Sequence, residues 1–119
     1  MKRDFQLIRK IMLEIEANSN GVDFASLEIN NSSREQIEYH LALLTEAGLI
    51  KAFDRSSGNE LVFIPIRLTW EGHEFLDNAR NETVWNKTLQ DIGQIAGSVA
   101  LPILRELLTA ALRAQLMPH

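Results

Sequence analysis

The sequence predicts an α+β fold in which a run of helices is interrupted once by a β-hairpin. Two observations predict it. Along most of the chain, apolar residues recur every three or four positions behind residues that cap helices. Between those stretches, residues 49–53 and 61–68 are rich in β-formers and flank DRSSGNE, whose Ser, Gly and Asn form turns. At 119 residues and 13.5 kDa the chain is sized for one compact core. Residues 1–81 are expected to carry it, with 82–119 as a helical extension.

In DFQLIRKIMLEIEA, residues 4–17, Ile8, Ile11, Met12 and Ile15 share one helical face and Asp4 suits the N-cap. Asn20-Gly21 offers the left-handed residue on which such a helix ends. VDFASLEINN, residues 22–31, fits both periods: Phe24 and Leu27 are spaced as in a helix, Leu27 and Ile29 as in a strand. The closeness of Asn30-Asn31 favours a short extended piece.

SSREQIEYHLALLTEAGLI, residues 32–50, opens a second helix. Ser33 with Gln36, or Ser32 with Glu35, makes a capping box. Ile37, Leu41, Leu44 and Ala47 form its buried stripe, and Gly48 ends it. In the hairpin that follows, Pro65 has no N–H for a ladder, which places that stretch at a sheet edge.

Thr69 caps the next helix, with Glu71 in its first turn and Phe75, Leu76 and Ala79 on its apolar side. Trp85, Leu89, Ile92 and Ala96 then carry a helix over 83–95. Trp70 and Trp85 both lie beside apolar helical positions and are expected as core anchors. Gly97-Ser98 reads as a joint before a last helix over 99–117. That helix is apolar on most sides, with Arg105, Glu106, Thr109 and Arg113 on one narrow face. A helix of this kind needs two apolar neighbours, so Leu101, Leu104, Leu108 and Leu112 are expected at a homodimer interface.

Composition bounds the function. The formal net charge of −4 argues against strong non-specific DNA binding, although Lys2, Arg3, Arg9 and Lys10 crowd the N-terminus. The absence of cysteine excludes disulfides and thiolate chemistry. MKRDFQLIRK has no apolar core of a secretory signal, and the uncharged stretch from Ile92 to Leu104 is too short for a membrane span. A cytoplasmic protein without membrane contact is expected.

The element order, helix, ambiguous piece, capped helix, hairpin, helix, is that of a winged helix. IEYHLALLTEAGLI is similar to the reading-helix stretch of bacterial winged-helix repressors of the metal-sensing and multidrug-response types, and LTWEGHEFL resembles the threonine-x-x-glycine helix start after their wing. The resemblance implies a helix-turn-helix DNA-binding fold. MKRDFQLIRKIMLEIE, YHLALLTEAGLI, IRLTWEGHEFLDNAR and the VWNK of residues 84–87 also resemble a small family of bacterial and prophage genomes, known only as a domain of unknown function.

Two functions follow as expectations. In the first, a DNA-binding transcriptional regulator of phage or mobile-element genes, Arg34, Gln36 and Tyr39 on the helix and Arg55 on the wing contact duplex DNA; Arg matches guanine and Gln adenine. Against it, Glu35, Glu38 and Glu46 outnumber the lone Arg34 on that helix. The space between Gly21 and Ser32 is also cramped for a supporting helix. In the second, a protein-interaction adaptor uses the same fold without DNA.

No enzyme is expected. His73 and Asp77 in HEFLD lie one helical turn apart, but a zinc site needs a third protein ligand, and neither His40 nor His119 is placed to serve. No phosphate loop or nucleophile motif is present, and no cofactor, metal or small-molecule ligand is implied. The Asn81-Glu82-Thr83 sequon is without consequence off a secretory route.

Overall fold

The computed structural model describes residues 3–18, 29, 32–94, 105–110 and 113, with only the backbone of 91–94. It is a mixed α+β structure: α1 (Phe5–Ala17), α2 (Arg34–Glu46), β1 (Ile50–Asp54), β2 (Phe63–Leu68), α3 (Trp70–Ala79) and α4 (Glu82–Gln94). Residues 105–110 are helical as well. The chain divides into two compact units, Met1–His73 and Glu74–His119, and the boundary falls within α3. The piece at 22–31, apart from Ile29, the Asn20-Gly21 stop and the Gly97-Ser98 joint lie outside the described residues.

In the first unit, Asp4 caps α1 by accepting from the backbone N–H groups of Gln6 and Leu7. The stripe Ile8, Ile11, Met12 and Ile15 is buried, joined by Leu7. The α2 cap uses the first of the two predicted boxes. Ser33 Oγ accepts from Gln36 N, and Gln36 Oε1 accepts from Ser33 N. Ile37, Leu41 and Leu44 are buried, whereas Ala47 is exposed, because it is the C-cap residue where the helix turns away from its own stripe.

Gly48, at φ +75°, ends α2 in a Schellman arrangement: Leu49 N donates to Leu44 O and Gly48 N to Thr45 O. That reversal drops Leu49 and Ile50 straight into the core and starts the hairpin there.

Strands β1 and β2 pair antiparallel, Ile50 with Leu68, Lys51 with Arg67, Ala52 with Pro65 and Phe53 with Ile64. The register slips between Lys51 and Ala52, leaving Ile66 as the extra residue of a bulge beside Pro65. This is where a residue without an N–H is tolerated. Thr69 binds both ends of the connection. Its hydroxyl donates to Gly48 O at 2.6 Å and accepts from Gly72 N at 3.0 Å, capping α3. Gly72 is required by contact: a Cβ there would lie 2.0 Å from Leu49 O.

In the second unit, Trp85 is 1% exposed and meets Phe75 edge to face at 6.3 Å. Asn81 caps α4 through Oδ1, which accepts from Val84 N, so the sequon asparagine has a structural task. Asn78 Nδ2 donates to Thr109 Oγ1, tying α3 to the 105–110 helix.

Trp70 contradicts its expectation as a core anchor: it is 75% exposed. The reason is angular. Counting about 100° per residue, Phe75, Leu76 and Ala79 centre on the side of α3 opposite Trp70.

Candidate functional site

The surface where a winged helix would meet DNA is the outward side of α2 together with the hairpin. Here the side chains of Gln36, Glu38 and His40 on α2 are engaged within the fold. Glu38, which the sequence places among outward positions, is buried, its side chain 7% exposed. Its Oε2 accepts from Phe63 N at 2.7 Å, where β2 begins. Its Oε1 is buried without a hydrogen bond of regular geometry, although Arg34 Nη2 lies 2.5 Å away as an ion pair. Glu38 therefore joins helix to hairpin, and Arg34 spends its charge on that carboxylate.

Gln36 likewise uses its side-chain oxygen on the capping box. Tyr39 is half-buried, its ring edge-on to His40 at 5.6 Å. His40 is buried and doubly bonded: Asp4 N donates to its Nε2 at 2.9 Å, and Nδ1 lies 2.7 Å from Gln36 O. An acceptor role at one nitrogen and a carbonyl at the other assign the neutral ring with its hydrogen on Nδ1. This residue pins the start of α1 to α2. The sequence signal was available: His40 stands three residues after Ile37 and four before Leu44, within the buried stripe.

Arg34, Glu35, Glu38 and Tyr39 line one wall of a cleft of about 750 Å3 whose other wall is the hairpin segment Asn59, Glu60, Leu61 and Val62. Three carboxylates thus face one guanidinium. Two of the expected DNA contacts, Arg34 and Tyr39, are brought together in this cleft; Gln36 is not among its lining residues. Arg55 is exposed just beyond β1, its N–H donating to Val62 O. Beside it, Asp54 Oδ1 accepts from Ser56 N at 2.9 Å. Hydrogen bonds from the Ser56 side chain, and next from its backbone, hold the Asp54 carboxyl below its ordinary value.

The hairpin has a second face. Lys51, Phe53, Ile66 and Arg67 are exposed while Ile50, Pro65 and Leu68 are buried on the opposite side. Phe53 is 61% and Ile66 41% exposed.

Of the expected dimer residues, Leu101, Leu104 and Leu112 lie outside the described residues, and Leu108 is 0% exposed within one chain. His73 is exposed, its Nδ1 3.9 Å from Glu16 Oε2. Among the described residues no group of three or more His, Asp or Glu is placed to hold a metal ion, and no helix is long and apolar enough to cross a membrane.

The family model described as "Hypothetical protein (DUF2513)" matches residues 2–98. The chain belongs to this family. Over 87 residues it is 46% identical to an "Uncharacterized protein" of Haemophilus influenzae, covering 72% of this chain and 74% of that relative. No solved structure matches. Membership in DUF2513 names no activity, so function has to be argued from the site.

Proposed function

We propose that this DUF2513 protein is a protein-interaction adaptor built on a winged-helix scaffold, and that the cleft between α2 and the hairpin receives a basic segment of a partner. The scaffold reading is supported by the order of capped helix, hairpin and Thr69-x-x-Gly72 helix start. The observation that carries the function is the chemistry of the cleft. With Arg34 and Glu38 paired to each other, Glu35 and Glu60 leave the cleft net negative, with Tyr39 and Leu61 as apolar surface in its lining. Phosphates would meet net negative charge there, whereas a Lys or Arg side chain meets complementary charge beside an aromatic ring.

A DNA-binding regulator, of phage or mobile-element genes by resemblance, is the second reading. It is favoured by the exposed Lys51, Arg55 and Arg67 of the hairpin, which suit phosphate contacts by a wing.

Anisotropy titrations of the full chain separate the two. One probe is random-sequence duplex DNA at low and moderate salt, the other a Lys/Leu-rich peptide. The adaptor reading expects peptide binding weakened by Tyr39→Ala and Glu60→Lys, and no DNA binding that responds to Arg34→Ala. Salt-sensitive duplex binding lowered by Arg34→Ala or Arg55→Ala, without peptide binding, reverses the order.

A further inference from the structure

The solvent face of the hairpin is independent of the cleft and has the opposite charge. Residues directly paired across antiparallel strands lie on the same face. Lys51 with Arg67, and Phe53 with Ile64, therefore form one surface, while Ile50 with Leu68 and Ala52 with Pro65 form the other. The bulge at Ile66 breaks the alternation and leaves two consecutive side chains, Ile66 and Arg67, exposed. The outcome is an apolar strip of Phe53, Ile64 and Ile66 ending in two cations.

Two features of this strip are unfavourable for the isolated chain. Phe53 and Ile66 keep much of their surface in water, 61% and 41% exposed, on a sheet of two strands among the described residues. Lys51 and Arg67 stand directly opposite each other, and like charges in that position repel. Among the described residues neither forms an ion pair; Arg67 Nη1 only donates to the carbonyl of Leu68. An occupant that covers the strip and brings carboxylates to its end relieves both.

We propose that this face docks an acidic amphipathic segment of a partner protein, one that sets Leu, Ile or aromatic side chains beside Asp or Glu. Duplex DNA would satisfy Lys51 and Arg67 but leave Phe53, Ile64 and Ile66 against phosphate and water. A second copy of the same face would bring cations against cations. Aromatic and Arg side chains together are the residues that concentrate binding energy at protein interfaces.

The test is selection from a random displayed peptide library against the full chain, with the pools re-measured against variants. The expected pool is enriched in Asp and Glu next to Leu, Ile, Phe or Trp. Its members bind Phe53→Ser and Lys51→Glu about tenfold more weakly or worse, and Tyr39→Ala unchanged. Both variants replace exposed side chains, and circular dichroism checks that they fold. A pool without acidic enrichment, acidic peptides indifferent to Phe53→Ser, or no pool at all overturns the proposal. So does duplex DNA binding that is lost in Lys51→Glu and Arg67→Glu. Failure of the basic peptide at the cleft leaves this result standing, because the two sites respond to different variants.

Discussion

The helix α2 and the hairpin beside it treat their side chains in opposite ways. On α2 three polar side chains are engaged internally: Glu38 holds Phe63 N and Arg34, Gln36 closes the cap on Ser33, and His40 holds Asp4. On the hairpin, large apolar groups that ordinarily build a core, Phe53 and Ile66, stand in solvent. The difference shows where recognition is to be sought. Side chains already satisfied within the fold have little left for a partner, and exposed apolar surface is what a partner covers.

The junction between the two regions is the place where a single change does the most damage. A Cβ on Gly72 would fall 2.0 Å from Leu49 O and 3.0 Å from Leu49 C, atoms of the backbone that cannot rotate away. Gly72→Ala is expected to lower stability by about 3 kcal/mol, read by chemical denaturation, because α3 must shift off the start of the hairpin. A loss below about 0.5 kcal/mol, within the range of ordinary surface changes, shows that helix and hairpin are not held together at this contact.

Glu38 comes next and tests the contrast directly. Glu38→Ala leaves Phe63 N without its acceptor and Arg34 without its carboxylate, for an expected loss of about 1–3 kcal/mol. Glu35→Ala, at an exposed neighbour in the same cleft, is expected to change stability by less than about 0.5 kcal/mol. Equal effects of the two would erase the distinction between fastening and recognition on α2.

These residues also show how far the sequence could be read. Helices α1 and α2 were legible because their period and caps are local: Asp4, Ser33 and Gln36 act within a few residues of where they stand. The hairpin was legible from its turn, and its edge character from Pro65. Glu38 was not, because its burial depends on Phe63 returning from 25 residues away, which no local pattern records. Trp70 was misread although the angle separating it from Phe75, Leu76 and Ala79 was there to use. The exposed face with Phe53 and Ile66 was missed because a bulge shifts register without leaving a mark in hydrophobic alternation.

A smaller effect sharpens the reading of Gln36. As a cap partner its loss is local, so Gln36→Ala is expected to lower stability by about 0.5–1 kcal/mol and fray the first turn of α2. Amide exchange at Gln36 and Ile37 reads the fraying. If the variant instead kept its stability and lost duplex DNA binding, Gln36 would be a reader of bases and the contrast with the hairpin would fail.

The smallest effect is at the hairpin tip, where a polar anchor sits in solvent rather than under the fold. Hydrogen bonds from Ser56 lower the Asp54 carboxyl from its ordinary 3.8, so its ionised form is favoured in the folded hairpin. A carboxyl lowered on folding stabilises above its unfolded value, and that contribution fades as pH falls from 3.8 through the lower folded value. Ser56→Ala removes the donor with the larger influence, so in an NMR titration the Asp54 midpoint is expected to move up toward 3.8. The Ser57 amide, bridged across the turn, should follow the same curve, while the Ile50 amide, at the base of the hairpin opposite Leu68, should not. An Ile50 amide that moves in step with Asp54 would mean that tip and base of the hairpin loosen as one unit. The recognition face carrying Phe53 and Ile66 would then depend on the turn as much as on α2.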